Sequence, residues 1–159
     1  MLSFRKFIFT IFFLVSGCGF SPLFTTNNSS KLGDSISIQE PNTQDEFVFY
    51  SRLTDRFGEG GSKYNLSYVI TTSKSDRGLN FDDNVHRIEI AGSISFKLKD
   101  TESEINLLSD KEEMYLSYSN FGSTAAVLNA ERTTNKQLLV LLADKIADRI
   151  SLTIVEKGS

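Results

Sequence analysis

A chain of 159 residues, 40% hydrophobic and 23% charged, holds enough apolar material for one domain with one modest core. Its 17 basic and 20 acidic side chains leave a formal charge of −3, which argues against general nucleic-acid binding, where a basic face must neutralise phosphates. With one cysteine and one histidine, an intramolecular disulfide and a multi-thiolate metal site are both excluded.

Residues 2–15, LSFRKFIFTIFFLV, place Arg5 and Lys6 ahead of a dense apolar run over residues 7–15. Crossing a bilayer takes about 20 apolar residues, and this run stops at Ser16 and Gly17. A basic start, a short apolar stretch and small residues describe a secretory signal peptide, removed after residue 17. Its loss leaves 15 basic against 20 acidic groups, a formal charge near −5.

Cys18 follows at once. An exported chain meets an oxidising compartment, where a lone exposed thiol is a liability. As a nucleophile it would need a base, and nothing in the sequence pairs it with His86, which falls in a predicted strand. The stretch VSGC, residues 15–18, resembles a bacterial lipobox: an aliphatic residue, two small residues, then cysteine. That resemblance implies diacylglyceryl on the Cys18 sulfur, cleavage before it, and acylation of the new amino group. Each buried methylene contributes about 0.8 kcal/mol, and two or more chains anchor stably. Gly19, where an inner-membrane retention signal has Asp, favours the outer membrane. Residues 18–33 form the lipidated N-terminus and tether, rich in Ser, Thr and Asn. Phe20, Leu23 and Phe24 are out of place in a solvated linker, and either pack back on the domain or sit in the membrane interface.

Residues 34–159 read as a single α+β domain. DSISIQ, 34–39, alternates as a short strand ended by Pro41. Thr43 and Glu46 make a capping box for a helix whose Phe49, Leu53 and Phe57 recur at i, i+4, with Gly58 as its stop. Three strand-like runs follow. Tyr64, Leu66, Tyr68 and Ile70 share one face of the first. In the second, Ile88, Ile90, Ile94, Phe96 and Leu98 oppose Arg87, Glu89, Ser93, Ser95, Lys97 and Lys99. Met114, Leu116 and Tyr118 mark the third. One apolar and one polar face describe a sheet covered on a single side. The cover is the segment 123–154, without Gly or Pro, in which Leu138, Leu139, Leu142, Ile146 and Ile150 keep helical spacing. Thr133–Asn135 is the place where this long helix is expected to bend. The order β-α-β-β-β-α predicts a two-layer sandwich, an antiparallel or mixed sheet of about four strands with two helices on one face.

No catalytic set emerges, so the chain reads as a non-enzyme without cofactor. His86 is a surface or turn histidine, lacking a partner motif. NFDDN, 80–84, lacks the glycine and distal Glu of a calcium loop. GEGGSK, 58–63, misses phosphate-loop spacing and precedes a strand, so it is a helix stop and turn. Asp110, Glu112 and Glu113 read as loop surface.

GCGFSPLF, residues 17–24, followed by this layout, resembles the start of LptE-family lipopolysaccharide-assembly lipoproteins, whose alphaproteobacterial members begin G-C-G-F-x-P-L-Y. Phe24 stands in place of the Tyr. The closing LLADKIADRI, 141–150, is similar to the family's Leu-Ala-Asp-x-Ile ending. The resemblance implies a lipid-anchored, outer-membrane protein that plugs the β-barrel LptD and helps place lipopolysaccharide in the outer leaflet. Arg87, Lys97 and Lys99 are then the candidate residues for lipopolysaccharide phosphates. A structural or adhesive lipoprotein, binding another envelope protein or peptidoglycan, is the alternative of a different class.

Overall fold

A computed structural model describes residues 35–76 and 87–158. Cys18, residues 20–24, residues 80–84 and His86 lie outside them.

The elements run β1 (Ile36–Ile38), α1 (Gln44–Phe57), β2 (Tyr64–Asp76), β3 (Arg87–Asp100), β4 (Asn106–Ser119) and α2 (Thr124–Gly158). The four strands form one sheet in sequential order. β1 lies parallel to β2, pairing Ile36 with Tyr64, and the other two pairings are antiparallel. This is the expected α+β order with a mixed sheet.

Local chemistry sets the first helix as the sequence indicates. The Thr43 hydroxyl accepts from the Glu46 amide at 3.2 Å, and the Glu46 carboxylate accepts from the Thr43 amide at 3.3 Å. Two otherwise orphaned donors are satisfied together. Gly58, at φ 81, closes the far end and donates its N–H to the Thr54 carbonyl. The next residues turn the chain into β2, as read from GEGGSK.

Residues of even number on β2 and β3 face the helices. Leu66, Tyr68, Ile90, Ile94, Phe96 and Leu98 are buried there against Phe49 and Leu53 of α1 and Leu138, Leu142 and Ile146 of α2. Aromatic contact adds to this, the Phe49 and Tyr68 rings meeting edge to face at 4.8 Å.

α2 runs without interruption through Thr133–Asn135. Its length has a simple physical match: 35 residues rise about 52 Å as helix, and the 14-residue strands β3 and β4 extend about 46 Å. One continuous helix therefore covers the sheet from end to end. Asn135 is no weak point, because its side-chain amide donates to Asp45 at 2.9 Å.

The partners across the helix seam rise together along both chains. Asp45 meets Asn135, Arg52 meets Asp144, and Arg56 meets Asp148. α1 and α2 thus run parallel. The Arg52 guanidinium grips Asp144 with two hydrogen bonds, at 2.9 and 3.0 Å, a fork geometry that fixes relative rotation.

β4 begins at Asn106, well before the apolar alternation that marks it in the sequence. A bulge at Leu98/Lys99 precedes the regular ladder, in which Phe96 pairs with Asp110 and Ile94 with Glu112. Asp110, Glu112 and Glu113 are therefore strand residues, and the loop-surface expectation is corrected. Glu112 points under α2 and is only 5% exposed. Two cations reach it there: Lys145 at 2.6 Å and Arg149, which also bridges to Asp110. Acidic residues interrupt the hydrophobic signal of the strand because their partners sit on a helix more than 30 residues later.

Candidate functional site

The helices cover one sheet face, and among the described residues no element covers the other. Strand register fixes what lies on it. Successive rows across β2, β3 and β4 read Asn65–Lys99–Asn106, Ser67–Lys97–Ser109, Val69–Ser95–Lys111, Thr71–Ser93–Glu113, Ser73–Ala91–Tyr115 and Ser75–Glu89–Ser117. Eight of these 18 side chains are short hydroxyls, and three are lysines. Val69 and Tyr115 are the large apolar groups exposed on it.

One part of this face is concave. Ser67, Val69, Ser95, Lys97, Ser109 and Lys111 line a depression of about 650 Å³. Lys97 stands in its row between two serines and has no ion-pair partner among the described residues. Lys111 is its diagonal neighbour and contacts Glu113 at 2.6 Å. That carboxylate raises the Lys111 pKa above its ordinary value, and the lysine in turn lowers Glu113. Lys99 lies one row further, 3.4 Å from Glu104. Three serine hydroxyls beside these amines can donate or accept. Chemically the patch suits phosphate or sugar oxygens and offers no nucleophile–base pair.

Of the three residues singled out in the sequence, Lys97 and Lys99 come together here. Arg87 shares their face but lies ten residues away along the same strand, about 33 Å, against Ser119. It belongs to the opposite end. Lys111, which the sequence reading passed over, takes its place in the cluster. The signal for it was parity: placing Met114 and Tyr118 on the helix side puts Lys111 on the open side, once β4 is known to extend that far.

Two clefts flank α1 on the helix side. Gln44, Val48, Arg132, Lys136 and Leu139 border one of about 430 Å³, and Thr72, Lys74, Ile90 and Glu131 border another of about 320 Å³. Lys74 pairs with Glu131, which also accepts from the Tyr118 hydroxyl at 3.1 Å. Both clefts mix charges of opposite sign and gather no reactive set. Among the described residues, no group of three or more His, Cys, Asp or Glu could hold a metal ion. No described helix is long and apolar enough to cross a membrane.

No family model matches the sequence, and no curated protein matches it. Solved structures do share the architecture. A Caulobacter crescentus protein described as a lipoprotein aligns with a TM-score of 0.61 at 17% identity, covering 82% of this chain and 96% of its own. The rare lipoprotein B of Shewanella oneidensis gives 0.60 at 17% identity, covering 79% and 98%. A minor lipoprotein of Acinetobacter baumannii gives 0.59 at 16%, covering 76% and 92%. At such identities the likeness is one of fold, and it spans nearly the whole length of each neighbour.

Proposed function

We propose that this protein is an envelope lipoprotein, acylated at Cys18, that works in outer-membrane lipopolysaccharide assembly by occupying the lumen of the β-barrel partner LptD. The observation that carries the reading is the uncovered sheet face, three strands wide and lined by Ser, Thr and Lys. Barrel interiors are polar, and a face of hydroxyls, amides and lysines can meet the polar groups of such a wall. The fold shared with lipoproteins from three other bacteria and the GCGFSPLF stretch support the same reading. Lys97, Lys99 and Lys111 are the residues for lipopolysaccharide phosphates, and Arg87 is not part of that contact.

Mild solubilisation of the outer membrane, followed by capture of the tagged protein, tests the partnership. A large stoichiometric barrel is expected to co-purify, and depletion of the protein is expected to deplete surface lipopolysaccharide. Recovery without a barrel, together with normal surface lipopolysaccharide after depletion, refutes the assembly role and leaves the structural or adhesive reading. For the lipid contact, Lys97→Ala/Lys99→Ala/Lys111→Ala should weaken lipopolysaccharide binding and flatten its salt dependence, and Arg87→Ala should not. Equal affinities for all variants would remove the phosphate assignment.

A further inference from the structure

Backbone and side-chain contacts bring the start of β1 and the end of α2 together at one end of the sheet. Ser35 accepts from the Tyr64 amide at 2.8 Å, and Tyr64 pairs with Asp100 across β2 and β3. Asp100 donates its N–H to the Ile105 carbonyl at 3.0 Å. The Lys157 ammonium reaches the Leu107 carbonyl at 3.2 Å. This end therefore holds the start of β1, the β3–β4 turn and the last turns of α2.

Three large apolar side chains stand in solvent there: Ile105 is 60% exposed, Leu152 65% and Val155 61%. Leu152 and Val155 are three apart on α2, so they share one side of its final two turns. α1 does not reach them, since its last tie to α2 is Arg56 to Asp148. Charge at this end is mixed, with Lys63, Lys99 and Lys157 set among Asp100, Glu102, Glu104 and Glu156. Attraction to anionic headgroups is thus not the dominant force; apolar burial is.

We propose that this end of the domain is a lipid-facing surface, with Ile105, Leu152 and Val155 seated in the interfacial layer of the bilayer to which Cys18 tethers the chain. The proposal rests on the reading of Cys18 as the anchor, sets this end at the mouth of the barrel and outside its wall, and adds where the body touches lipid. Length decides which end does so. Residues 18–34 are 17 residues and span at most about 60 Å when fully extended. They join the body at Ser35, beside this apolar group. The opposite end also exposes apolar residues, Phe121 and Leu128, but it lies about 46 Å further along the strands. Lipid contact there would need the tether stretched almost straight alongside the domain.

The sequence contains no tryptophan, so a single introduced one reports its own surroundings. The buried core residues described run from Ile36 to Ile150, and the chain from Cys18 onward retains them. That chain can be coupled through its one thiol to maleimide lipid in phosphatidylcholine vesicles, whether or not cells acylate Cys18. Leu152→Trp should then emit at shorter wavelength and be quenched by brominated acyl chains; Leu128→Trp should show neither effect. Adding Ile105→Ser and Val155→Ser to Leu152→Trp should abolish the shift, with circular dichroism confirming that these exposed replacements leave the fold intact. High salt should leave the shift in place. No shift at position 152, equal shifts at both ends, or a shift erased by salt overturns the proposal. Mass spectrometry of Cys18 in protein extracted from the envelope tests the anchor separately: an unmodified thiol there ends the anchor reading and leaves the tryptophan result to stand or fall by itself.

Discussion

Gly92 sits in the middle of β3 on the helix side, in a row of large apolar residues. Leu138 of α2 fills the space above it: an added Cβ would fall 2.2 Å from the Leu138 Cδ2 atom. The glycine is what lets the long helix approach the sheet. Gly92→Ala should destabilise the domain by about 1–3 kcal/mol through overpacking, read as a lower urea midpoint with unchanged slope. Leu138→Ala alone empties a fully buried site and should cost about 2–5 kcal/mol. The double variant should cost less than the sum, because the new methyl occupies part of the vacated space. Thr43→Ala should lose about 1 kcal/mol with the cap, an effect legible from sequence alone since both members of the box lie four residues apart or fewer. Gly92 was not legible in that way. Its partner is 46 positions distant, and a glycine inside a strand pattern says only that something comes close.

At the scale of elements, β4 and α2 are joined by a buried carboxylate between two cations. The Lys145 ammonium is the chief cause that holds Glu112 below the ordinary carboxylate range, and Arg149 adds to it while burial opposes. Breaking such a group has an asymmetric cost. Lys145→Ala/Arg149→Ala strands a buried anion and should destabilise by about 3–5 kcal/mol. Glu112→Gln leaves two half-exposed cations that solvent can reach, so its cost should be smaller. The sign of the pH effect follows from the lowered pKa. The unfolded chain binds a proton at a higher pH than the folded one does, near pH 4.3 for glutamate. Stability from this cluster is therefore complete above that value and is lost as pH falls through the folded pKa. Melting temperatures between pH 7 and pH 3 should fall, and the fall should be shallower in Glu112→Gln. Tyr68 needs no such switch: burial pushes its hydroxyl up to about 12, where it donates to the Gln39 carbonyl at 3.2 Å.

For the whole molecule, one core joins both helices to all four strands. Tyr64, Tyr68 and Tyr118 are buried in it at separate places on the sheet. Unfolding followed by tyrosine fluorescence should coincide with loss of far-UV circular dichroism in one two-state transition; two separated transitions would show that the parallel helix pair and the sheet unfold independently. The same global layout gives the molecule its polarity. Arg87 lies at one end of the open face, and Lys97, Lys99 and Lys111 gather toward the other, on the side where the N-terminal segment joins.

Short-range chemistry was readable directly. The capping box, the i, i+4 apolar spacing of both helices and the strict alternation in β2 and β3 each depend on neighbours within about one or two turns or pleats. Hence the element order, the covered and uncovered faces, and most of the core followed from the sequence, as did the reasons for regarding Cys18 as an attachment point. Tertiary structure decided what depends on partners far apart in the chain. It set the parallel run of α1 and α2 through ion pairs 92 positions apart, turned an apparent acidic loop into part of β4 with Glu112 buried under α2, and split Arg87 from the two lysines with which it shares a face. Periodicity tells which side of a strand a residue occupies; only the register and the packed helices tell what it meets there.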